Sequence, residues 1–161
     1  MKKDQQYVSK EDCVRRGFVR KNGGIYKMSV LERFAEKGWL DLGDSKYSAQ
    51  DRLKAAEKLQ KDYEQSYFMS MSAGGIRERI DSKGKNANDV EMICKARKRY
   101  EEAVRHVPGE FWNAVKRVCL ENRDFEVPKQ FSERRRMEIG FLLKCDLCRG
   151  LDRLIKFYWS L

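Results

Sequence analysis

The stretch Gly140-Phe-Leu-Leu-Lys-Cys-Asp-Leu-Cys-Arg-Gly-Leu-Asp-Arg-Leu-Ile-Lys-Phe-Tyr-Trp159 decides the fold class. Leu143, Leu147, Leu151, Leu154 and Tyr158 recur at three- and four-residue intervals, so they fall on one helical stripe that needs a core. Lys144, Arg149, Arg153 and Lys156 lie mostly off that stripe, and the cluster Arg134-Arg135-Arg136 precedes it. A packed helix with a basic outer face suits phosphate contact, and it also describes many ordinary solvated helices. Gly140 or Gly150 is a candidate kink in that helical region, because glycine is a poor interior helix residue.

Working outward, Asn88-x-x-Glu91 opens a long helix through Ile93, Ala96, Tyr100, Ala103, Val104 and Val107, which Pro108-Gly109 ends. Phe111, Trp112, Val115, Val118 and Cys119 form a compact helix, and a turn over residues 122–129 leads to the last helical region. Helix, sharp corner, helix, turn, helix fits a trihelical DNA-binding core and equally a plain three-helix bundle. Nearer the start, Ser29-x-x-Glu32 is a capping box before Val30, Leu31, Phe34 and Ala35, and Gly38 can end that helix in the left-handed conformation. Ser48-x-x-Asp51 opens a second helix to about Phe68, with Leu53, Ala56, Leu59, Tyr63 and Tyr67 as its apolar face.

Phe18-Val19-Arg20 and Ile25 to Met28 flank Lys21-Asn22-Gly23-Gly24, a favoured hairpin turn; the alternative is a frayed basic terminus. The expected organisation is all-α, a helical bundle with a helix-turn-helix-like C-terminal half and a small N-terminal β-hairpin. Residues 1–28 form a basic arm or hairpin, 29–70 a helical pair, 71–88 a Gly- and Lys-containing linker, and 89–161 the DNA-binding-like region.

The net charge is +10 over 161 residues, and 37% of residues are charged. Residues 1–30 hold eight Lys/Arg against three acids, so half of the excess lies there. Such a balance favours an acidic partner, namely nucleic acid, an anionic surface or an acidic protein face. Five cysteines, an odd set with no secretory signal before them, suggest a reducing cytoplasm. No apolar run is long enough for a membrane span, and the basic helices lack a Trp/Phe-rich insertion face, so no membrane partner is expected.

Enzyme signals are thin. His106 is the sole histidine, at a helix end where capping or packing suffices. No phosphate loop of the Gly-x-x-x-x-Gly-Lys-Ser/Thr type occurs. Cys145-x-x-Cys148 lacks a second pair to complete a zinc site and reads as buried thiols. Asp152 is placed to pair with Arg149 or Lys156 on its own helix. The expectation is a non-enzyme with no cofactor and no metal. Trp112, Phe141, Phe157, Tyr158 and Trp159 are assigned to the core.

The basic clusters are the positive signal. Arg134, Arg135 and Arg136 occupy a helix's first turns, where the macrodipole disfavours cations, and Ser132 can cap that helix. With Lys129 they supply the central DNA contacts. Arg123, Lys95, Arg97, Lys98 and Arg99 support the backbone, and Arg15, Arg16, Arg20 and Lys21 act as an arm.

Three segments carry a family resemblance: Ser29-Val-Leu-Glu-Arg-Phe-Ala-Glu-Lys-Gly-Trp-Leu40, Ala55-Ala-Glu-Lys-Leu-Gln-Lys-Asp-Tyr63 and Gly150-Leu-Asp-Arg-Leu-Ile-Lys-Phe-Tyr158. Together they resemble an alphaproteobacterial and prophage domain of unknown function, related to transcription activators of gene transfer agents and phage late genes. The resemblance implies a cytoplasmic, nucleoid-associated helix-turn-helix-like regulator, acting on DNA and with RNA polymerase as activator or antiterminator. The Gly- and Lys-rich linker and the long basic stretch Glu133 to Cys148 depart from that pattern. Two other classes remain open: a polymerase-binding module with little DNA affinity, and an RNA-binding phage effector.

Overall fold

The computed structural model describes residues 17–21, 24–43, 46–71 and 86–160. Arg15, Arg16, most of the expected linker and the Asn22-Gly23 turn lie outside the described residues. Strands β1 (Phe18–Lys21) and β2 (Gly24–Lys27) pair antiparallel, with Phe18 opposite Lys27 and Lys21 opposite Gly24. Arg20 and Lys21 are therefore on β1. A two-stranded ribbon is marginal alone. Here it is anchored where the Met28 amide donates to the Gly17 carbonyl at 2.9 Å, and Met28 is buried.

Helix α1 (Val30–Glu36) begins with the expected capping box. Ser29 Oγ accepts from the Glu32 amide at 3.2 Å, and Glu32 Oε2 accepts from the Ser29 amide at 2.8 Å. Asn122, far along the chain, accepts from the Val30 amide at 2.8 Å, so another first-turn donor is satisfied. Gly38 takes φ 71°, and the chain reverses so that Trp39 packs on Phe34, with ring centroids 5.0 Å apart.

Helix α2 (Ala49–Met71) is opened by the reciprocal Ser48–Asp51 hydrogen bonds and runs slightly past the expected end. Its buried stripe is Arg52, Ala55, Ala56, Leu59, Asp62 and Ser66, which keeps Ala56 and Leu59 of the expected apolar series and replaces Leu53, Tyr63 and Tyr67 by the residues one position earlier. Leu53 and Tyr63 are only partly covered, and Tyr67 is exposed. Polar residues took the buried positions because each finds a partner inside. Arg52 binds Asp152 through two hydrogen bonds, at 2.7 and 3.1 Å, and donates to the Leu40 carbonyl at 2.6 Å. Asp62 accepts from Arg99 at 2.9 Å and from the Tyr158 hydroxyl at 3.2 Å. Asp152 thus pairs across the molecule, correcting the expectation of an Arg149 or Lys156 partner on its own helix.

Helix α3 (Asn86–His106) starts slightly before the expected Asn88 and buries Ala96 and Ala103, with Val107 just beyond it. Pro108 then turns the chain directly into α4 (Gly109–Val115), which continues as a π-helical turn, Lys116–Leu120. That widened turn leaves the Cys119 carbonyl free for Gln60 of α2, which donates to it at 2.7 Å.

Helix α5 (Glu133–Trp159) runs unbroken through both glycines. Gly150 is a contact surface rather than a kink, since a Cβ there would lie 2.5 Å from Val115 Cγ2. Only glycine lets α4 and α5 approach so closely. A Cβ on Gly140 would meet nothing within 4 Å.

One hydrophobic cluster joins Val30, Leu31, Phe34 and Leu40 to Ala55, Ala56 and Leu59, and both sets to Val115, Val118, Leu147, Leu151 and Leu154. The chain is an all-α helical bundle whose N- and C-terminal helices share that core. Trp112, Phe157 and Tyr158 pack against it, whereas Phe141 and Trp159 are exposed at 64% and 50%, contrary to their assignment to the core. Both sit on turns of α5 that extend past its most buried section.

The two glycines should respond oppositely to alanine. Gly150→Ala should lose about 1–3 kcal/mol through overpacking, and Gly140→Ala should gain about 0.5–1 kcal/mol from helix propensity. Urea unfolding midpoints read both; equal shifts would refute the close α4–α5 approach. Asp152→Ala strands the buried Arg52 and should cost about 3 kcal/mol or more in the same assay.

Candidate nucleic-acid interface

The first two turns of α5 stand clear of the core. Residues 133–138 are all exposed, with side-chain exposures of 91% for Arg134 and 63% for Arg135. Ser132 caps the helix by accepting from the Arg135 amide at 3.3 Å. Arg134 and Arg135 share one carboxylate, Glu138, each at 3.4 Å. Such long, exposed pairs contribute little to stability and are readily given up to a phosphate. Arg123 and Lys129, on the segment leading into α5, are exposed and have no carboxylate partner among the described residues.

The α3 cluster is different. Lys95 is paired with Glu91 at 2.6 Å and Arg97 with Glu101 at 3.2 Å, while Arg99 is bound to buried Asp62. Lys98 is exposed without such a partner among the described residues. Through Asp62, Arg99 is tied to Tyr158, near the far end of α5. Arg136 and Tyr158 are separated by about 33 Å along that helix, at 1.5 Å per residue. The structure therefore does not bring the α3 cations together with Arg134, Arg135 and Arg136, and it uses Arg99 to hold helices together. The side chains of Arg20 and Lys21, like Arg15 and Arg16 entirely, lie outside the described residues.

Beside the arginines is a groove that residue spacing does not reveal. Trp39, Phe125, Val127, Met137, Gly140 and Phe141 line it, and Arg136 and Lys144 stand on its margin together with Asp124 and Glu133. It exists because the core stripe of α5 continues past the core, and because Gly140 contributes no side chain to fill it. Lys144 lies 3.3 Å from the Trp39 ring centroid and Lys37 4.6 Å from it, a cation–π arrangement. Burial, and then the charge of Lys37, lower the Lys144 pKa. Exposed apolar residues near Arg134 to Arg136, placed in line with a buried stripe, would have been the signal.

No metal-ligand group of three His, Cys, Asp or Glu residues occurs among the described residues. His106 stacks on Phe157 at 5.6 Å. Burial raises the thiol of Cys119 to about 12 and that of Cys148 to about 11, and Cys148 donates to the Trp39 carbonyl at 3.5 Å. Among the described residues no helix is long and apolar enough to cross a membrane. No protein-family model, curated protein or solved structure matches this chain.

The thiols give a direct check on this packing. Cys119 and Cys148 should resist alkylation in the folded protein while exposed Cys94 reacts, leaving at most three of five cysteines labelled. Denaturant should release all five, as counted by mass spectrometry. Labelling of Cys119 at the rate of Cys94 would contradict its burial.

Proposed function

We propose that this protein is a DNA-binding transcription regulator of phage or prophage type, which holds duplex DNA with the exposed first turns of α5 and acts without catalysis of its own. The observation that carries this reading is the projection of Arg134, Arg135 and Arg136 beyond the core on a capped helix start. Nothing in the packing requires three arginines there, and the helix dipole disfavours them. A phosphate backbone reverses that balance, because it supplies the negative charge that the helix start attracts. Arg123 and Lys129 widen the contact, and the net charge of +10 adds a long-range attraction. The resemblance carried by residues 29–40, 55–63 and 150–158, to a prophage domain related to phage and gene transfer agent regulators, points the same way. Contacts of this type set register on the duplex; base selection needs further side chains in a groove.

A second reading is favoured by the groove around Gly140. Met137 is 70% exposed and Phe141 64%, beside Arg136 and Lys144. An amphipathic segment of RNA polymerase fits that pairing of an apolar floor with a margin of both charge signs, Arg136 and Lys144 alongside Asp124 and Glu133. In this reading a stable complex with purified polymerase forms without DNA and is lost in Met137→Glu.

For the leading reading, Arg134→Ala with Arg135→Ala should weaken binding to random duplex and leave the melting temperature nearly unchanged. In a salt series the slope of log affinity should flatten by roughly 2, since each phosphate neutralised by a cation adds about 0.9 to it. Unaltered affinity would remove these arginines from the site.

A further inference from the structure

We infer that α5 carries a second phosphate-binding surface, a groove bounded by Arg149, Arg153, Lys156 and Lys46, which engages the same duplex as Arg134 and Arg135. The inference rests on the DNA-binding reading above and extends it to residues that reading does not use.

Arg149, Arg153 and Lys156 stand four and then three residues apart, so they share one face of the helix. Lys46 reaches the same groove from the segment before α2, and Tyr47 and Phe111 complete its walls around a volume of about 540 Å³. Arg149, Arg153 and Lys156 are exposed, and none of the four cations has a carboxylate partner among the described residues. Asp152, the one carboxylate lining the groove among the described residues, is held by buried Arg52 at 2.7 and 3.1 Å, so its charge is already offset from within the core. The groove is left with four converging positive charges.

Helix stability does not account for this arrangement. Lys156 lies in the last turn, where the dipole favours a cation, but Arg149 does not. Like charges four residues apart, as in Arg149 and Arg153, are mildly unfavourable on a helix. An anionic ligand would relieve that repulsion, and the anion whose geometry best suits a bank of arginines on a duplex-binding protein is phosphate.

Its source follows from register. Arg135 and Arg153 are 18 residues apart on an unbroken helix, which is five turns, so both project on the same side about 27 Å from each other. A single phosphate group cannot touch both. A duplex backbone, with one charge per about 1.7 Å of axis, can.

The test is a salt series on random duplex DNA with three full-length proteins: wild type, Arg134→Ala/Arg135→Ala, and Arg149→Gln/Arg153→Gln/Lys156→Gln. The triple variant should flatten the wild-type slope by roughly 2–3 with an unchanged melting temperature. An unchanged slope in the triple variant, with flattening in the Arg134/Arg135 variant, overturns this inference and leaves the DNA-binding reading intact. A wild type that fails to hold duplex at low salt overturns both. Inorganic phosphate titrated alone separates the sources, because binding of phosphate without duplex assigns the groove to a free phosphate group and rejects the backbone.

Discussion

The Arg52–Asp152 pair is the constraint on which the arrangement depends. Arg52 is fully buried, and removing a guanidinium from water is costly unless every donor is answered. Asp152 and the Leu40 carbonyl between them accept from each of its three nitrogens. Burial alone would lower the Arg52 pKa, yet the hydrogen bond and charge of Asp152 raise it above its ordinary value. One side chain thereby joins α2, the reversal after α1 and the outer half of α5. It also sets the rotation of α5. With Asp152 turned toward Arg52, the helix presents Arg149, Arg153 and Lys156 to solvent.

A second polar node lies farther along the same two helices. Asp62 receives Arg99 from α3 and Tyr158 from α5, and burial, reinforced by the Asp62 charge, raises the Tyr158 pKa. Along α2 and α5 the two nodes bracket Leu59 and Leu154, which belong to one apolar cluster with Val115, Val118, Leu147 and Leu151. Hydrophobic burial supplies most of the driving force for such a core, but it is non-directional. The ion pairs are directional, and they select one register of the helices over neighbouring ones.

Helix α5 is longer than the core it packs on, and the proposed function draws on the surplus. Its first turns carry Arg134 to Arg136 into solvent together with Met137 and Phe141. A helix end free of tertiary contacts can enter a groove or receive a partner without unfolding anything. Its cap at Ser132 keeps those turns ordered. The same overrun opens the groove over Trp39 and Phe125.

Local chemistry was legible in the sequence. The Ser29 and Ser48 caps, the Gly38 reversal, the Pro108 corner and the leucine stripe of α5 each depend on residues within one or two turns of each other, so spacing reveals them. Residue type and periodicity by themselves therefore determined a helical protein with a basic surplus. Arg52 and Asp62 were not legible as buried residues, because a charged side chain reads as solvent-facing until a partner 100 or 37 positions away is brought beside it. Gly150 read as a candidate kink for the same reason, its role being set by Val115 on another helix. Along the chain the basic clusters of α3 and α5 both read as open to phosphate, with Arg134 to Arg136 in the central role. The Lys95–Glu91 and Arg97–Glu101 pairs, each four residues apart, are set within α3 itself. Only the tertiary structure decided that Arg99 is held by buried Asp62 while α5 leaves Arg149, Arg153 and Lys156 free of carboxylate partners among the described residues, since the availability of a charge depends on what the fold places next to it.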